Sequence, residues 1–189
     1  MPREETSPLY KANTLVSAGV TLMDDRKFDK AVSCFDEALG YTADIWYLKG
    51  TALRCVHNYK DALTCFEMAL KLNPKHPHAK MDLGVALHYI GKYRRAIGIY
   101  DALIKEGQSV PLAWFNKACA LCMLGKDEKA LECLRKAKEL DPFNTNKHLA
   151  VEESFERLRG TPDFEALAEE IRGCEAGQMS GNQNLCYIG

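Results

Sequence analysis

The chain has 189 residues, 47 % of them hydrophobic and 27 % charged, with 25 Lys and Arg against 26 Asp and Glu for a formal net charge of -1. That balance is an ordinary globular one, and it excludes an acidic disordered tail, a collagen-like chain and a generally basic nucleic-acid binder. Apolar runs fall far short of the roughly 20 residues a membrane span needs. The opening MPREETSPLY lacks an apolar h-region, so the expected address is the cytoplasm, with no membrane insertion.

Eight cysteines, about 4 % of the chain, are too few for a disulfide scaffold. They sit inside helical apolar patterns such as CFDEAL, CFEMAL and CLRKAK, where reduced thiols act as small hydrophobes.

After a short lead over residues 1–8, one pattern repeats down the chain. Gly19, Gly50, Gly84 and Ala118 are small residues 31, 34 and 34 positions apart. Twelve residues after each stands an alanine (Ala31, Ala62, Ala96, Ala130), and four after that a large apolar residue (Phe35, Phe66, Tyr100, Leu134). Trp46 and Trp114 open the second and fourth repeats, and Pro74 and Pro142 close them. Small residues at these places let two helices cross at the usual close axial separation, and the large residue fills the gap to the next hairpin.

This pattern resembles the tetratricopeptide repeat over residues 9–142. The resemblance implies an all-α, right-handed α-α superhelix of four helical hairpins, at about 12–42, 43–76, 77–110 and 111–144, stacked because no hairpin buries its apolar face alone. The first repeat is short around GYTAD. The third has Lys80 for the opening aromatic and Leu103 for the second alanine, and leaves through KEGQSVP, so irregular packing is expected there.

Beyond Pro142 the pattern loosens. Leu149, Phe155 and Leu158 suggest one apolar helix face; Thr161-Pro162 reads as a cap and first residue of another helix. Phe164, Leu167, Ala168 and Ile171 follow at i, i+3, i+4 and i+7, with Gly173 as the stop. Residues 145–175 are thus expected to be capping helices, and 176–189 a flexible tail.

The family resemblance also implies a concave groove lined by the first helix of each hairpin, used for extended peptides or partner helices. In this register the groove residues are Tyr47, Leu48, Thr51 and Arg54; Met81, Asp82, Val85, His88 and Tyr89; and Phe115, Asn116, Cys119 and Met123, with Val16 and Val20 in the first repeat. So apolar a surface marks a binding site. Some family members clamp chaperone C-terminal tails with Lys and Asn. Here the Asn-type positions hold Val20, Thr51, Val85 and Cys119, and the Lys-type positions Val16, Tyr47, Met81 and Phe115, so that partner is disfavoured.

Cys119-x-x-Cys122 places two thiols on one helical face, with Cys55 and His88 at equivalent positions on other repeats. No second CxxC accompanies it, so a thiol metal site ranks well below buried hydrophobes. His76 and His78 flank Pro77 in a turn expected to be solvated. No nucleophile signature or phosphate loop occurs, and the basic residues are dispersed among acids. The reading is a non-catalytic scaffold that holds a protein or peptide partner in its groove, without cofactor, metal or nucleic acid. Homo-oligomeric assembly, through the groove or through Leu185, Tyr187 and Ile188 of the tail, is the alternative.

Overall fold

The computed structural model describes residues 8–38, 42–76, 78–108 and 110–179. The second half of the GYTAD junction is included, but residues 39–41 and the tail residues Leu185, Tyr187 and Ile188 lie outside the described residues. Every described element is helical: α1 Pro8–Asp24, α2 Phe28–Ala38, α3 Ala43–Cys55, α4 Tyr59–Leu72, α5 Ala79–Tyr89, α6 Tyr93–Lys105, α7 Val110–Met123, α8 Asp127–Leu140, α9 Pro142–Val151 and α10 Pro162–Met179, with a 3₁₀ turn at Glu153–Phe155. The chain forms two compact units, Met1–Lys92 and Tyr93–Gly189.

Within each unit consecutive helices pack as neighbours, and the turns that reverse the chain are built alike. Helices α1, α3, α5 and α7 end with a residue of positive φ: Arg26 (60°), His57 (60°), Gly91 (77°) and Gly125 (72°). The next N–H reaches back to the carbonyl of Leu22, Leu53, Leu87 or Leu121 at 2.8 to 3.0 Å. This is the Schellman closure, which satisfies carbonyls a helix end leaves open. Two of the four turns achieve it with a side chain in the left-handed region, a cost glycine avoids.

At the third repeat's exit, where irregular packing was expected, the described backbone ends α6 in the same way as the other turns. Gly107 (φ 70°) closes α6 with the same pair of bonds, Gly107 N–H to Ile104 O at 3.1 Å and Gln108 N–H to Leu103 O at 3.0 Å. Helix starts are capped locally. Thr42 accepts from Ile45 N–H, Asn58 from Asp61 N–H, and Asp141 from Asn144 N–H at 3.0 Å.

The cores follow the small–large pairing. Phe35 and Phe66 are fully buried, each pressed against the glycine of the preceding helix. A Cβ on Gly19 or Gly50 would lie 2.6 Å from the ring. Between hairpins a second device recurs. Lys49 of α3 pairs with Asp36 of α2 while lying 6.0 Å from the Trp46 ring centre. Lys117 of α7 pairs with Asp101 of α6 at 2.6 Å and lies 4.9 Å from the Trp114 ring. Each lysine thus joins two helices and covers an indole face.

The C-terminal segment departs from expectation in detail. Leu149, Phe155 and Leu158 do not share one helix, because α9 stops at Val151 and the chain turns through Glu153–Phe155. All three are buried, as are Phe164, Leu167, Ala168 and Ile171 of α10. Thr161 does not cap α10 as expected: its hydroxyl donates backwards to Leu158 O at 2.7 Å. Nor does Gly173 end the helix, which runs on to Met179.

Candidate functional site

In the N-terminal unit the expected groove residues converge on one face of α3 and α5. Tyr47, Thr51 and Arg54 project from α3 at i, i+4 and i+7, Asp82 and Val85 from α5 at i and i+3, and all five are half-buried. Arg54 Nε stands 3.8 Å from Asp82 Oδ1, too far for a hydrogen bond, and that Nε is buried with no acceptor. Thr51 donates to Tyr47 O at 3.0 Å. Burial, and then the Asp82 carboxylate, push the Tyr47 phenol above its ordinary value. At the edge of this face Tyr89 is 57 % exposed and stacks on Tyr59 with ring centres 4.4 Å apart and planes 8° from parallel. His88 is half-buried and lies edge-on to Tyr89 at 5.5 Å. Leu48 packs on the core of α2 and α3. Met81, expected on the open surface, is 7 % exposed and belongs to the packing between helices.

The turn before α5 overturns another expectation. His76 is not solvated but 4 % exposed. Its Nδ1 accepts the Ala79 N–H at 3.1 Å, capping α5 from three residues upstream. An accepting Nδ1 puts the proton of the neutral ring on Nε2, which donates to Asp44 Oδ1 at 3.1 Å. The ring also lies 4.7 Å from that of Tyr47. His78, by contrast, is exposed.

In the C-terminal unit the groove positions of α7 are largely closed by the chain itself. Phe115 and Cys119 are each 3 % exposed, so expecting them on an open surface was wrong, and Cys122 is buried at 2 %. The cause is the turn at Glu153–Phe155. Phe155 meets Phe115 edge-on at 5.7 Å, Ser154 reaches the Cys119 thiol, and Arg157 donates to Cys122 O at 3.0 Å while pairing with Asp127. Asn116 is half-buried and Met123 is 46 % exposed. A cavity of about 290 Å³ remains beside Phe115, between Leu112 of α7 and His148 of α9.

The six described cysteines are free, and among the described residues no three His, Cys, Asp or Glu side chains cluster as metal ligands. Burial pushes the Cys119 thiol well above its usual value and raises that of Cys122, which suits packing and opposes thiolate ligation. No described helix is long and apolar enough to cross a membrane.

Similar proteins fit this geometry. The tetratricopeptide-repeat family profile matches residues 43–76 and 111–144. The solved structure of YrrB, described as a tetratricopeptide-repeat protein with an unusual peptide-binding site, is 25 % identical, covers 74 % of each chain and superposes with a TM-score of 0.67. MamA from Desulfovibrio magneticus is 23 % identical, covers 92 % of this chain and 98 % of its own, and reaches 0.71. A stretch of 83 residues is 31 % identical to the peroxisomal targeting signal receptor of Candida albicans. That stretch spans 42 % of this chain and 14 % of the receptor's length.

Proposed function

Because the chain is a tetratricopeptide-repeat protein, we propose that it is a non-catalytic scaffold whose α3–α5 face holds a partner peptide or helix. The observation carrying this reading is the incompletely satisfied polar centre on that face. Arg54 and Asp82 stand near each other without a direct hydrogen bond, and the buried Arg54 Nε lacks an acceptor. A partner carbonyl or carboxylate would satisfy the guanidinium, since a buried donor left unmade costs about 1–3 kcal/mol. Val85 and Tyr89 supply apolar surface around it, and an apolar face with a few polar groups is the usual make-up of a helix-binding groove. The groove is shorter than the repeat pattern implies, because the last repeat's share is filled by residues 153–155.

The test is capture of partners from native lysate with wild-type protein and with Arg54→Gln/Val85→Glu, after both match in helicity and melting. A protein held by wild type and lost by the double variant supports the α3–α5 face; equal retention removes it. Homo-oligomeric assembly is the second reading. It is favoured by Leu140, Phe143 and Val151, 52 %, 54 % and 78 % exposed around α9. Sedimentation of Phe143→Glu against wild type separates the two, because only self-association would weaken.

A further inference from the structure

The opposite side of α7 carries a surface of different chemistry. Trp114, Lys117, Leu121 and Leu124 lie at i, i+3, i+7 and i+10, on the helix face turned away from Phe115 and Cys119. With Ile97 of α6 and Cys133 of α8 they line a cavity of about 400 Å³, inside the size range of ligand pockets. Its rim is cationic. Arg94 of α6, Lys126 of the turn and Lys129 of α8 all border it and all are exposed. None of the three has an ion-pair partner among the described residues. Glu132 is the acid in the lining, and Lys117 is already held by Asp101. In sequence these cations belong to KYRR, which is basic, and to GKDEK, whose two acids balance its two lysines; folding gathers members of both around one opening.

We propose that this groove between α6, α7 and α8 is a second docking site, one that takes an acidic peptide segment with an aromatic side chain. The aromatic ring enters between Trp114 and Leu121, and flanking carboxylates lie along Arg94, Lys126 and Lys129. Charge complementarity selects an acidic occupant, because three cations against the single acid Glu132 repel a basic one. The apolar floor selects a segment with a large side chain to bury. A nucleotide fits less well. Lys117 already lies over the Trp114 ring, which takes one face from base stacking, and the cations sit on three separate elements instead of converging on one phosphate.

The full-length ¹⁵N-labelled protein is titrated with the blocked peptide Glu-Glu-Phe-Glu-Glu, following the Trp114 indole signal and the Arg94 and Lys129 amides. The expected result is a saturable shift of these signals, weakened several-fold by raising salt from about 50 to 200 mM. Loss of at least about tenfold in affinity is expected in Arg94→Gln/Lys126→Gln/Lys129→Gln, whose exposed side chains leave the fold intact. A comparable loss is expected when the peptide's Phe is replaced by Gly, while Val85→Glu on the α3–α5 face changes nothing. The proposal falls if Lys-Lys-Phe-Lys-Lys shifts the same signals equally, if the triple variant binds like wild type, or if no shift appears up to about 5 mM peptide. It falls equally if ATP moves the Trp114 signal and the acidic peptide does not.

Discussion

The small residue in each first helix is the strictest steric demand in the repeat, and Gly50→Ala measures it. A Cβ there would stand 2.6 Å from Phe66 Cε1, 2.9 Å from Cδ1 and 3.1 Å from Cys65 Cβ. Phe66 is fully buried and Cys65 nearly so, so neither can swing into solvent. Two terms oppose each other. Alanine gains about 1 kcal/mol in helix propensity over glycine, while overpacking a closed core costs about 1–3 kcal/mol. The net is a destabilisation of about 1 kcal/mol, or a fall in Tm of about 3 °C for a chain of this size. Gly98→Ala on α6 is the internal control. Nothing lies within 4 Å of its added Cβ, so it keeps the propensity gain and stabilises by about 0.5–1 kcal/mol. Thermal and urea unfolding followed by circular dichroism give both values. Adding Phe66→Leu to Gly50→Ala should relieve part of the strain, appearing as a coupling energy in the double-mutant cycle. If Gly50→Ala stabilises as much as Gly98→Ala, the close helix crossing is not what places glycine there.

Arg26→Gly should raise stability by about 1 kcal/mol, because its φ of 60° is a left-handed conformation that glycine adopts without the Cβ penalty; an unchanged or lowered urea midpoint would contradict this. Burial pushes the thiols of Cys65 and Cys133 up to about 11. At pH 8 their thiolate fraction in the folded state is therefore about one in a thousand, and iodoacetamide should modify the half-buried Cys34 and Cys55 well before them. The same shift carries a pH dependence. An acid whose folded value lies above its unfolded one favours the fold while protonated, so stability should hold up to about pH 9 and fall as pH rises through 11. Cys65→Ala/Cys133→Ala should flatten that decline.

What was legible in the sequence is what recurs in it. Four small–large pairs at constant spacing place the crossing points, since Gly19–Phe35 and Gly50–Phe66 touch as the pattern requires. The hidden features have no periodic counterpart. His76 looked solvated because a Pro-flanked turn is normally open; it is buried because its ring caps α5, rests on Tyr47 and meets Asp44, 32 residues away. The closure of α5 by that histidine substitutes for the cap His78 does not provide. Likewise the cations at the α6–α7–α8 groove are gathered by folding from two stretches about 30 residues apart, of which GKDEK looks neutral by itself.

The fate of Phe115 and Cys119 shows why a register alone does not define a groove. Their counterparts on α3, Tyr47 and Thr51, remain half-open, yet the α7 pair is covered because the chain turns at Glu152 instead of extending α9. Glu152 itself enforces the turn, accepting from Ser154 N–H at 2.9 Å and from its hydroxyl at 2.5 Å. Phe155 then covers Phe115, and Arg157 fastens the segment to Cys122 O and Asp127. A terminal repeat must shield its last apolar face. This chain does so with α10 packed on α8 and α9, and the connecting turn also closes the groove side of α7. The open part of the expected groove face is therefore set by the cap as much as by the repeats: it is closed on α7 and half-open on α3 and α5.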